Sequence, residues 1–188
     1  MNAGFYGPPG IAGEPTITVD NLEVAQFIYL LLHNEKIRHV IDTITSKVVL
    51  ILGRFTPERK AILDAIRDEL RRHDLLPVMF DFERPDNRGF DETVSTLAHM
   101  ARFVIADMTE PRIVLQEVPH IVRNIAVPLV PLLLEDEEEP VTLHDLRRNH
   151  RSVLPTLRYT NSDDLLASLE EEVISPAQAK LGELREMR

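Results

Sequence analysis

Lys47-Val48-Val49-Leu50-Ile51-Leu52-Gly53 is a continuous apolar run rich in β-branched residues, and together with the two segments after it this run decides the fold. Thr56 and Pro57 open an amphipathic stretch over residues 57–72, and residues 76–82, Leu-Pro-Val-Met-Phe-Asp-Phe, form a second extended run. A strand, a helix and a strand in this order make a β-α-β unit. The period then repeats. Val94, Leu97 and Ala98 mark residues 91–101 as helical, Phe103-Val104-Ile105-Ala106 reads as a third buried strand, residues 112–124 as mostly helical and residues 127–134 as a fourth strand. Strands apolar on both faces with helices between them imply a parallel sheet, right-handed crossovers and helical cover on both sides. The expected fold is α/β, a doubly wound and mainly parallel sheet of four to five strands with an N-terminal helical extension. Pro128 and Pro131 place the fourth strand toward an edge or restrict it to bulged pairing.

Working outward, residues 135–139 are five consecutive carboxylates, expected to form a solvated loop. Residues 143–149 read as a short helix, 157–160 as a fifth strand and 163–173 as a closing helix. Residues 1–19 hold Gly4, Gly7, Pro8, Pro9, Gly10, Gly13 and Pro15, so they read as a flexible tail. Residues 20–46 form the helical extension, as one long helix or two short ones. Phe27, Ile28, Tyr29, Leu30, Leu31 and Leu32 are contiguous there, more apolar surface than one helix face needs. A homo-oligomer, or a fused or partner module docking on 20–46, is therefore expected. The α/β domain takes residues 47–175, and residues 176–188 are a polar helical tail.

Composition narrows the function classes. At 188 residues the chain supports one core plus an appendage, and 44% hydrophobic with 28% charged residues is a globular balance. A net charge of −10 opposes a nonspecific grip on nucleic-acid phosphates. The absence of cysteine removes disulfides, thiolate metal sites and thiol nucleophiles, and fits a cytoplasmic protein. No run approaches the roughly 18 apolar residues of a membrane span.

In an open parallel sheet, ligands settle beyond the carboxyl ends of the strands. The residues expected there are Gly53, Arg54 and Thr56 after the first strand, Asp81, Arg84 and Arg88 after the second, and Asp107 and Thr109 after the third. The three arginines suit an anion such as a phosphate, or pair with nearby carboxylates. Asp107 either touches a ligand or caps the following helix. Glu117, two residues before Pro119, sits where a proline disturbs the helix, turned toward the cleft or simply facing solvent. The histidines lack metal-ligand spacing, so no metal is expected, and no Walker loop or Gly-x-Ser-x-Gly elbow is present.

The order of residues 47–53, an amphipathic helix, Leu76 to Asp81, Leu97 to Thr109 and Gln116-Glu117 resembles the TIR-like family of bacterial domains, with a layout similar also to nucleoside deoxyribosyltransferases. The first resemblance implies a flavodoxin-like, TIR-like fold and a helix glutamate, here Glu117, that splits NAD at its nicotinamide glycosidic bond. The second implies that Asp107 and Glu117 serve N-glycosidic exchange. Both imply a nucleotide as substrate or ligand, with no separate cofactor, and the first an effector role in bacterial defence. The Ser and Trp-Cys that often precede the TIR glutamate are replaced here by Arg112-Ile113-Val114-Leu115. A non-catalytic module for assembly or nucleotide sensing is the alternative.

Overall fold

The computed structural model describes residues 26, 29–30, 33–81, 94, 97–109, 118–119, 122 and 126–187, with Arg38 and Asp81 described through their backbones alone. The chain divides into two units, residues 1–39 and 40–188. Helix α1, Glu35–Lys47, begins at Asn34, whose side-chain oxygen accepts from the amides of Lys36 and Ile37 at 3.0 and 3.3 Å. That cap sets the break between a first helical segment and a second, because Asn competes for the amides a continuing helix would need. Of the apolar run before it, Tyr29 and Leu30 are described, and both are exposed.

Strands β1 (Val48–Gly53), β2 (Leu76–Asp81), β3 (Phe103–Asp107), β4 (Leu129–Leu134) and β5 (Leu157–Tyr159) form one sheet in the order β2-β1-β3-β4-β5, every pair parallel. The expected doubly wound α/β fold is the one observed. The chain moves from β1 outward to β2, then returns to the other side of β1 for β3, so the strand order reverses between β1 and β3. A strand order of 2-1-3-4-5 is the flavodoxin-like arrangement, and its crevice opens at that reversal.

All of β1 is buried, as its unbroken apolar run requires. Alternate residues feed two cores. Val49, Ile51, Phe103 and Ile105 pack with Leu63, Ile66 and Leu70 of α2 (Pro57–Arg72) and with Leu165 and Leu169 near the C-terminus. On the opposite face, Leu50, Leu52, Val104 and Ala106 meet Val94, Ala98, Val118 and Val122, with Leu143 and Leu146 of α3 (Val141–Asn149) and Ile44 of α1. Helix α2 starts where its sequence says it should: Thr56 Oγ1 accepts from the Arg59 amide and Pro57 occupies the first turn.

Strand β4 is interior, one place from the β5 edge, and the structure shows how its prolines are tolerated. Pro128 O accepts from Val104 N, whereas Leu129 exchanges bonds with Ser152 and Leu154 on the other side. By alternation, the missing N–H of Pro131 faces the β5 side. Pairing there is interrupted: after an isolated bridge between Leu129 and Val153 it resumes only at Leu132 with Leu157.

Helix α4 (Ser162–Ser168) runs through a π-helical turn, Leu169–Ile174, into α5 (Ser175–Glu186). Pro176 accounts for the widened turn, since its ring cannot donate to, and would clash with, the carbonyl four residues earlier. The acidic loop departs from its expected solvated form at one end. Residues 135–138 are exposed, but Glu139 is half-buried and bound by the Arg147 guanidinium at 2.7 and 3.1 Å and by the Thr156 hydroxyl. Among the described residues no helix is long and apolar enough to cross a membrane.

Candidate functional site

In open parallel sheets ligands lie beyond the strand ends where the strand order reverses, and here the residues that end β1 and β3 form that region. Gly53 closes β1 where α2 comes closest: a Cβ placed there would lie 2.9 Å from Leu63 Cδ1 and 3.4 Å from Asp107 Cβ. Glycine thus lets the β1 end, the first turns of α2 and the β3 end converge. Gly53 is also the register partner of Asp81 at the end of β2.

Asp107 ends β3 with its side chain on the α2 face, 2% exposed. Arg59 reaches it with both prongs of its fork, Nε to Oδ2 and Nη2 to Oδ1, each at 2.8 Å. Arg59 Nη2 also donates to the Tyr159 oxygen at the end of β5. The Thr109 amide donates to Asp107 Oδ1 at 3.2 Å, and Thr109 Oγ1 accepts from Leu134 N at 3.3 Å. Arg59, Asp107, Thr109 and Tyr159 are all buried, so a charged pair stands inside the protein with both carboxylate oxygens hydrogen-bonded to the guanidinium.

The electrostatics are set by that enclosure. Burial works to lower the Arg59 pKa, but the Asp107 charge and the hydrogen bonds to Tyr159 and Asp107 outweigh it, and the net shift is upward. Burial pushes the Tyr159 phenol up, against the hydrogen bond from Arg59, so it stays neutral at ordinary pH.

Of the residues expected at the strand ends, Gly53, Asp107 and Thr109 are brought together, Thr56 caps α2 through the Arg59 amide, and Arg54 is exposed just after β1. Asp81 is placed there by its backbone. Arg84, Arg88 and Glu117 lie outside the described residues. Asp107 takes neither of its two expected roles alone: it holds the Thr109 amide, as a capping Asp would, but most of its carboxylate is given to Arg59. Sequence reasoning missed Arg59 and Tyr159. A signal existed for the first, because Arg59 lies on the helical stripe of Leu63, Ile66 and Leu70, where a charge needs a buried partner. Among the described residues no group of three His, Asp or Glu side chains is arranged to hold a metal ion.

No protein-family model matches the chain, and no curated protein matches it in sequence. Among solved structures it is similar to a CMP N-glycosidase of Clostridium botulinum, at 16% identity and a TM-score of 0.54, over 66% of this chain and 98% of that one. It is also similar to a flavodoxin-like domain from Synechococcus sp., at 15% identity and a TM-score of 0.45, over 75% of this chain and 99% of that one. A diflavin flavoprotein from Nostoc sp. gives 12% identity and the same TM-score, over 75% of this chain and 96% of that one. The strand order and the likeness to the glycosidase agree on the fold: a doubly wound, all-parallel α/β domain.

Proposed function

We propose that this chain binds a nucleotide across the C-terminal ends of β1 and β3 and hydrolyses the N-glycosidic bond between its base and its ribose. The observation that carries the reading is the convergence of Gly53, Asp107 and Thr109 at the strand-order reversal. The fold shared with a CMP N-glycosidase supports it. Breaking the C1′–N bond passes through an oxocarbenium-like state that one carboxylate stabilises or traps, and water then adds at C1′ as the base departs. Glu117 is that carboxylate, by the resemblance to TIR-like domains and deoxyribosyltransferases. Arg54, Arg84 and Arg88 neutralise the phosphates. NAD is the substrate that the TIR-like resemblance favours, and an effector role in bacterial defence goes with it.

The test is incubation with NAD and, separately, with CMP, with release of nicotinamide or cytosine measured by chromatography. Release by the parent, reduced at least about 100-fold in Glu117→Gln with unchanged circular dichroism, is the expected result. A parent that releases neither base, or a Glu117→Gln variant as fast as the parent, refutes the reading. The enclosure of Asp107 by Arg59 favours a second reading, a non-catalytic nucleotide-sensing or assembly module, because it withdraws one strand-end carboxylate from substrate. Under that reading nucleotide binding persists while base release stays at background.

A further inference from the structure

Three of the four buried polar or charged side chains among the described residues, Arg59, Asp107 and Thr109, stand in one cluster, and Tyr159 completes it. The cluster joins five elements at the rim from which the loops leave the sheet. Arg59 brings the first turn of α2, Asp107 the end of β3, Tyr159 the end of β5, and Thr109 reaches back to Leu134 at the end of β4. Gly53, packed within 3.4 Å of the Asp107 Cβ position by the measure of an added methyl, brings the end of β1. A buried ion pair is a weak source of stability, since well-packed apolar residues of similar volume often do as well or better. What apolar residues do not supply is direction. The fork of Arg59 admits one orientation of the Asp107 carboxylate, and that carboxylate in turn holds the Thr109 amide.

We propose that Arg59 is a positioning residue: braced by Tyr159, its guanidinium orients the Asp107 carboxylate, which holds the turn 107–109 so that the β1 and β3 ends meet a nucleotide already arranged. This rests on the reading of the crevice as a nucleotide site. Arg59 itself touches no substrate. It acts through Asp107 and Thr109, and Tyr159 limits its freedom from the far side.

The test uses the full chain and two variants. In Arg59→Met/Asp107→Leu both charges leave together, so no orphaned charge unfolds the protein. Arg59→Lys keeps the charge but loses the two-pronged geometry. Three quantities are read: the thermal midpoint, hydrogen exchange of individual amides by NMR, and kcat and KM for base release from NAD and CMP. The double variant is expected to melt within about 4 °C of the parent. Its Thr109 amide exchanges at least about tenfold faster while the amides within β1 and β3 keep their protection, since only a local restraint is lost. Its kcat falls about tenfold or more with KM within about threefold, as a misplaced but still binding site requires. Arg59→Lys falls between the two.

A purely structural role would lower the midpoint and speed exchange across the whole sheet. That pattern overturns the proposal, as does a double variant with parental Thr109 exchange, or an Arg59→Lys variant with parental exchange and parental kcat. A parent that releases no base from either nucleotide sinks the proposed function. Amide exchange then decides the positioning role by itself, with loss confined to the 107–109 turn in its favour and unchanged protection against it.

Discussion

Replacing Asp107 by Asn isolates what the buried pair is worth. The change is nearly isosteric, so no cavity forms, but it turns one carboxylate oxygen into an NH2 group. In the parent, Oδ2 accepts from Arg59 Nε and Oδ1 from Nη2, both at 2.8 Å. The amide oxygen of Asn satisfies one prong, and the NH2 group faces the other, donor against donor. The guanidinium keeps its charge, because a buried arginine cannot shed its proton, and Tyr159 is a neutral partner. Leaving such a charge without its counter-ion costs about 3–5 kcal/mol. With a urea slope of about 2–3 kcal/mol per molar, the unfolding midpoint falls by roughly 1–2.5 M at unchanged slope. Equilibrium urea unfolding monitored by circular dichroism measures it directly. A loss under about 1 kcal/mol would refute the reasoning, since it would mean that water reaches the pair and that Asp107 is free to bind a ligand.

Gly53→Ala places a methyl 2.9 Å from Leu63 Cδ1, on a side chain with no exposed surface, so overpacking outweighs the backbone entropy gained. The expected loss is about 1–2 kcal/mol, seen by calorimetry as a midpoint about 3–6 °C lower, and an unchanged midpoint would show that Leu63 moves aside freely. The hydrogen bond from Arg147 holds the Glu139 carboxyl below its ordinary value of 4.5, against the opposing effect of burial. The stability it contributes is therefore present above pH 4.5 and is lost as pH falls through the lowered pKa. In Glu139→Gln that part of the acid limb disappears, and parent and variant curves that stay parallel below pH 4.5 would contradict the assignment. Tyr29 and Leu30 are exposed on the N-terminal helical segment, where the sequence leads to an expected association surface. Light scattering across a concentration series is expected to show an oligomer that Leu30→Glu converts to folded monomer, and a parent that stays monomeric throughout excludes it.

Where local chemistry decides the structure, the sequence was legible. The run Val48 to Leu52 has no polar position, so it had to be an interior strand, and Thr56-Pro57 had to start a helix. Strand order was not legible in the same way. Pro131 argues for an edge or for broken pairing, and only the path of residues 154–156 shows that the gap falls on the β5 side of an interior strand. Glu139 illustrates the same limit: five carboxylates in a row look uniformly solvated until Arg147 and Thr156 are folded against the last of them. The pairing of Arg59 with Asp107 spans 48 residues and that of Arg59 with Tyr159 spans 100, distances over which spacing and periodicity carry no information.

The commitment of Asp107 also narrows the chemistry of the proposed reaction. Glycoside cleavage with a poor leaving group uses two carboxyl groups, one to protonate the departing atom and one to meet the sugar cation. Asp107 is buried, and each of its two oxygens accepts from a prong of the Arg59 guanidinium at 2.8 Å, so the carboxylate is not placed to reach a departing base. If Glu117 meets C1′, the crevice is left without Asp107 as its acid. Nicotinamide leaves NAD as a neutral base and needs no proton, whereas cytosine leaves CMP readily only when protonated. Under the proposed function, the Arg59–Asp107 pair therefore favours a pyridinium nucleotide over a pyrimidine one, the direction to which the TIR-like resemblance also points, although one of the solved structures the chain resembles is a CMP N-glycosidase.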